Sequence, residues 1–197
     1  MNKIVKNTLI LTLITVIAGV LLGAVYEVTK TPIAQSQETA KKEAWQAVFS
    51  DVKLDDFKAE DVDQKAADKA VKDMGVNATI DEVCTAGDAG YVITTTDKDG
   101  YGGDIQVSVG IQSDGTVTGV SFLSLSETAG LGMKAKEPSF YEQYVGKNPT
   151  KFAVSKDGGD GEQIDALSGA TITTNAMTNG VNAGLAAFRY EKGGSQK

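Results

Sequence analysis

Histidine is absent from this 197-residue chain, and cysteine occurs once, at Cys84. These shortages exclude whole classes of chemistry. Without histidine there is no Ser-His-Asp triad and no histidine-ligated haem. A single thiol cannot supply a c-type haem site, a four-cysteine iron–sulfur cluster, a usual zinc site or an intramolecular disulfide. A redox role therefore requires a cofactor that needs no such ligands, and Cys84 reads as a small core residue. Basic residues are also in deficit: the formal net charge is -7 with 41% hydrophobic residues. That balance describes a foldable acidic chain and argues against a nucleic-acid partner.

What is present begins with an uncharged run. Lys3 and Lys6 precede Thr8 to Tyr26, a stretch dominated by Leu, Ile, Val and Ala. At 1.5 Å per residue its roughly 19 residues reach about 28 Å, close to the hydrocarbon thickness of a bilayer. A cleaved signal peptide is the competing reading. The length of the run and the lack of a small-x-small cleavage site before Glu27 favour an anchor. The two lysines place the N-terminus in the cytoplasm and residues 27–197 on the extracytoplasmic side. Gly19 and Gly23 form a small-xxx-small pair of the kind that lets membrane helices approach.

Residues 1–30 are thus expected to be the anchor, with the span at about 8–26. Residues 31–78 read as a helical and charged connecting region. After Pro32 the spacing predicts a helix over Ile33 to Phe49 with Trp45 on its apolar side. Residues 50–75, with mixed charges from Asp51 to Lys65, then read as a solvated helix and linker with no metal role.

From residue 79 the apolar period becomes two. Strands are predicted over Thr79–Thr85, Tyr91–Thr96, Ile105–Ile111 and Val117–Leu125, with turns at Asp97-Lys98-Asp99-Gly100 and Ser113-Asp114-Gly115. The expected fold class is α+β, an antiparallel sheet with one face packed beneath helices, over residues 79–192, with 193–197 as a tail. Phe140, Tyr141 and Tyr144 follow Pro138 at helical spacing and read as a short core-facing helix. Asp157 to Gly161 lacks the alternating oxygen ligands and terminal glutamate of an EF-hand and reads as a loop.

That loop leads to Asp165-Ala166-Leu167-Ser168-Gly169-Ala170-Thr171. Gly169 and Ala170 leave the Thr171 hydroxyl on an uncrowded turn. A helix is predicted over 173–190, with Thr173, Thr174 or Asn175 as its N-cap. An anion carried on Thr171 would then sit at a helix start, where free N–H groups and the dipole favour negative charge.

The run resembles the Asp-x-x-(Ser/Thr)-Gly-Ala-(Thr/Ser) signature of proteins that carry FMN in phosphoester linkage on the final hydroxyl, here Thr171. Upstream, Glu127-Thr128-Ala129-Gly130-Leu131-Gly132 resembles the accompanying loop in the FMN-binding domain of the Rnf G-subunit family. That family is paralogous to the C subunit of the sodium-pumping NADH:quinone oxidoreductase. Ala129 stands where proline is common in the family.

The resemblance implies a cofactor site of Thr171, Ser168, Gly169, Ala170, Asp165, Glu127, Thr128, Gly130 and Leu131, with no catalytic residue and no metal. It also implies a separate flavin transferase that uses FAD as donor, consistent with the lack of a histidine base to activate the threonine. The implied role is a membrane flavoprotein subunit. It relays electrons among the other Rnf subunits of a ferredoxin:NAD oxidoreductase complex coupled to Na+ or H+ translocation. Alternatives are a C-type quinone-reductase subunit, a flavin-free membrane-tethered assembly module and a free-standing extracytoplasmic carrier.

Overall fold

The structure, a computed structural model, describes residues 2–194, so residues 195–197 of the expected tail lie outside the described residues. Two compact units divide the chain, Met1–Lys41 and Lys42–Lys197.

The first unit is formed by most of helix α1 (Lys3–Val48), which is long and apolar enough to cross a membrane. Three hydroxyl groups of the apolar run are satisfied within the helix: Thr8, Thr12 and Thr15 donate to the carbonyls four residues back at 3.0, 2.9 and 2.7 Å. Such back-bonding removes the need for water around a threonine in hydrocarbon. One expectation fails here. Pro32 does not separate a span from a second helix, because α1 runs through it. A proline deletes one N–H and strains one carbonyl of the preceding turn. The helix formers that follow it, among them Ala34, Gln35, Glu38, Ala40 and Lys41, sustain the ladder on its far side.

The second unit is built on a five-stranded antiparallel meander, β1 (Phe57–Ala59), β2 (Ala78–Ala86), β3 (Gly90–Asp97), β4 (Ile105–Gln112) and β5 (Val117–Ser124), in that spatial order. The predicted strands fall on β2 to β5 to within about a residue, since alternation is the direct signature of a pleated strand. β1 does not stand out from the charged sequence around it, whereas helix α2 (Gln64–Asp73) falls within the helix expected over 50–75 but buries Ala67 and Val71 in the core instead of being solvated all round. Asp63 caps α2, accepting from the backbone N–H groups of Lys65 (3.1 Å) and Ala66 (3.3 Å).

Helix α4 (Thr171–Gly194) lies on one face of the sheet, where Met177, Val181 and Leu185 are wholly buried. Thr95 of β3 donates to the Gly180 carbonyl at 3.0 Å, and Tyr91 meets Phe188 edge to face. The other face is also covered, contrary to the one-sided expectation. Trp45, Val48, Phe49 and Phe57 pack there on Cys84, Ala86 and Val92. The Trp45 and Phe57 rings lie 5.6 Å apart, so both Trp45 and Cys84 take core roles.

A short helix α3 (Pro138–Tyr141) buries Phe140, and the 3-10 turn after it buries Tyr144, whose hydroxyl pairs with Thr178 at 3.0 Å. Strands β6 (Phe152–Val154) and β7 (Glu162–Ile164) form a separate parallel pair. Buried Asn182 ties β6 to α4: it accepts from Phe152 N–H at 2.8 Å and donates to the Phe152 carbonyl at 2.9 Å.

Candidate functional site

β7 delivers the chain directly to Asp165. The Gln143 side chain grips the Asp165 backbone, accepting its N–H at 2.7 Å and donating to its carbonyl at 3.3 Å, while Ser155 donates to the Asp165 carboxylate at 3.3 Å. The turn that follows closes through Ala170 N–H to the Leu167 carbonyl at 3.1 Å. Gly169 sits there at φ +75°, a conformation that disfavours any residue with a Cβ.

α4 begins at Thr171, two residues before the predicted start, so none of Thr173, Thr174 and Asn175 is the cap. Thr174 is instead a buried staple: its hydroxyl donates to the Ala170 carbonyl at 2.9 Å and accepts Leu167 N–H at 3.1 Å. The early start places Thr171, exposed, on the first turn itself, where N–H groups have no intrahelical partner.

Opposite this turn, the chain leaving β5 forms a second wall. The N–H groups of Leu131 and Met133 both donate to the Thr128 carbonyl, at 3.1 and 3.2 Å, and a 3-10 turn over Gly132–Lys136 follows. Gly132 is required by contact: a Cβ there would lie 2.6 Å from the Thr173 hydroxyl and 2.8 Å from the Glu127 Cβ.

Between the walls lies a cleft of about 480 Å³. Of the residues singled out from sequence, it brings together Glu127, Thr128, Leu131, Gly169, Ala170 and Thr171. Asp165, Ser168 and Gly130 lie outside its lining, as do Lys134, Lys136 and Met133; Met133 packs on the core instead. Gly132 of the same loop and Thr173, expected only as a helix cap, also line it, together with Tyr101 and Ile172, which the sequence did not mark.

Tyr101 carried no signal in its own turn. It arrives because Asp97, at the end of β3, folds the loop back by accepting Asp99 N–H at 2.7 Å. Burial pushes the Asp97 carboxyl above the ordinary range, a rise that this backbone hydrogen bond partly offsets. Among the described residues from 42 onward, the exposed large apolar side chains are Leu54, Tyr101, Leu131 and Ile172. The last three meet at this cleft. An apolar mouth, a helix start and an exposed hydroxyl together suit a flat aromatic group with an anionic tail.

Residues 1–48 match the family model described as the RnfG N-terminal region, and residues 100–186 match that of the FMN-binding domain. The G subunit of a proton-translocating ferredoxin:NAD(+) oxidoreductase complex from Clostridium ljungdahlii is 32% identical over 193 residues, which cover 98% of this chain and 96% of that one. This chain belongs to the Rnf G-subunit family. The G subunit of a Na(+)-translocating ferredoxin:NAD(+) oxidoreductase complex from Acetobacterium woodii is 31% identical, covering 93% of this chain and 91% of its own. The G subunit of an ion-translocating oxidoreductase complex from Methanosarcina acetivorans is 28% identical over 98% of both chains. The FMN-binding match contains both walls of the cleft, from Tyr101 to Thr173.

Proposed function

We propose that this G-family chain is the membrane-anchored flavoprotein subunit of an ion-translocating ferredoxin:NAD oxidoreductase complex and carries FMN by a phosphoester to Thr171. The observation that carries the reading is the exposed Thr171 hydroxyl, on the first turn of α4 and on the wall of the cleft. The residues present fit the group. Glu127 is a buried carboxylate in the lining whose oxygens have no partner among the described residues, and a donor-bearing ligand would satisfy it. The α4 start receives an anion.

When bound, FMN supplies one- or two-electron redox chemistry through its ring. The chain supplies the rest. Thr171 tethers and takes no part in electron transfer. The N–H groups of the first turn offset the phosphoryl charge. Leu131 and Ile172 exclude water from the apolar side of the cleft, and Tyr101 offers an aromatic face at its mouth. Gln143 and Thr174 fix the turn that presents Thr171. Asp165 and Ser168, outside the cleft, are assigned to recognition by the FAD-dependent flavin transferase. The N-terminal lysines put the flavin unit on the extracytoplasmic side of the cell membrane, where it relays electrons between other subunits of the complex.

The test is the intact mass of the full-length chain made with and without a flavin transferase, followed by peptide mapping. An added mass of FMN less water on Thr171, absent from Thr171→Ala, is expected. An unmodified mass in the presence of active transferase would defeat the reading and leave a flavin-free assembly module.

A further inference from the structure

Glu127 is 9% exposed, and neither carboxylate oxygen has a hydrogen-bond partner among the described residues. A buried charge left in that condition is among the costlier arrangements in a folded protein. It is no accident of a loose loop. Gly132 approaches so closely that a Cβ there would lie 2.9 Å from the second carboxylate oxygen, so backbone shapes the space around the charge. The carboxylate also lines the cleft that holds Thr171. A ligand bringing N–H or O–H groups would complete it. The anionic tail of that ligand would not, because two negative charges repel strongly at close range in a low dielectric. The partner of Glu127 is therefore a donor of the ligand other than its phosphate.

Resting on the flavoprotein reading above, we propose that Glu127 accepts a hydrogen bond from the isoalloxazine ring of FMN and that its charge holds the flavin midpoint potential down. The oxidised ring carries one N–H, on its pyrimidine side, and a carboxylate is an apt acceptor for it. Two-electron reduction adds negative charge to the ring before protons from solvent offset it. A fixed carboxylate opposes that addition. No bond to Glu127 forms or breaks. It is a positioning and tuning residue, separate from Thr171, which only tethers.

The experiment is spectroelectrochemical titration of the full-length chain, flavinylated by co-production with a transferase and purified in detergent, for wild type, Glu127→Gln and Glu127→Asp. Mediators supply two electrons per flavin and the buffer supplies protons. Glu127→Gln keeps the shape and removes the charge. It is expected to raise the equilibrium constant for reduction at least tenfold, an upward shift of about 30 mV for a two-electron couple. Glu127→Asp is expected to stay nearer wild type.

A Glu127→Gln protein with flavin on Thr171 and an unchanged potential overturns the inference and leaves the flavoprotein reading standing. So does a folded Glu127→Gln protein that takes up no flavin, since tuning is not attachment. A wild-type protein without flavin overturns both. A second measurement does not depend on flavin. In the Thr171→Ala background, Glu127→Gln is expected to melt higher than its parent because the unmatched charge is gone, and a lower melting temperature counts against a carboxylate awaiting a ligand.

Discussion

Replacing Asn182 tests how firmly the attachment turn is braced, because this residue ties the strand pair leading to Asp165 onto α4. Its amide makes two hydrogen bonds to the backbone of Phe152, at 2.8 and 2.9 Å, and is 1% exposed. Asn182→Ala strands one buried N–H and one buried carbonyl, at about 1–3 kcal/mol each. A cleft of about 220 Å³ borders both residues and can admit water to the exposed groups. That places the sum near the lower half of the range, about 3 kcal/mol. For a chain of this size about 1 kcal/mol moves the melting temperature by roughly 2–4 °C, so a fall of roughly 6–12 °C is expected. Thermal melting in detergent, followed by near-ultraviolet circular dichroism, reads the folded unit. Asn182→Leu is the control, since it keeps the volume and strands the same two groups. Both variants should fall together. A leucine variant within about 2 °C of wild type, beside a destabilised alanine variant, would show that Asn182 acts by filling space and would refute the hydrogen-bond reasoning.

Two further outcomes follow from single contacts. Asp97 has its folded pKa raised by burial above the ordinary 3.8. The unfolded chain therefore releases this proton first. Asp97 contributes its stability fully below about pH 3.8 and loses it as pH rises through the folded pKa. The stability of Asp97→Asn minus that of wild type should consequently increase in urea melts as pH is raised from 3 to 8, and a difference that stays constant or decreases would contradict this. Gln143→Ala releases two hydrogen bonds on the Asp165 backbone at about 1 kcal/mol each. Transferase time courses should show flavin attachment slowed roughly 5- to 30-fold, with an unchanged far-ultraviolet spectrum. An unaltered rate would remove Gln143 from the attachment machinery.

The strands of the meander were legible as short β-branched and apolar runs between turn residues; β3 and β4 are buried almost throughout, because both faces of the sheet are covered, so their burial does not alternate. β1 was not legible. Its three residues include only Phe57 as a buried apolar side chain, and its place at the sheet edge comes from pairing Phe57 with Ala86. The start of α4 differs from expectation for another physical reason. Thr173 and Thr174 carry cap-forming side chains, yet both are buried, and Thr174 turns its hydroxyl back onto Ala170 instead of capping. Sequence preference records what a threonine can do at a helix end, and packing against the sheet decided otherwise. The cleft was half legible. Glu127 to Gly132 and Gly169 to Thr171 were reachable through family resemblance. Tyr101 required the fold, because a buried Asp97 bends the β3–β4 loop towards the site.

The same geometry favours one hydroxyl in a run of four as the proposed acceptor. Ser168, Thr171, Thr173 and Thr174 lie within seven residues, and a signature based on residue type does not by itself separate them. Thr173 and Thr174 are 1% and 0% exposed, so a second protein's active site cannot reach either oxygen. Ser168 is exposed but precedes Gly169 and lies outside the cleft, so a flavin attached there would extend from a turn with no apolar slot to receive it. Thr171 alone combines exposure, a place in the lining and a helix start beneath it. Gly169 at positive φ makes this possible: the chain reverses into the helix within one residue, and a Cβ at that point would lie 3.2 Å from Leu131 on the opposite wall. Gly169 is therefore a steric condition for the cleft. Under the proposed attachment, the negative charge of a phosphoester at Thr171 would fall where the first N–H groups of α4 offset it.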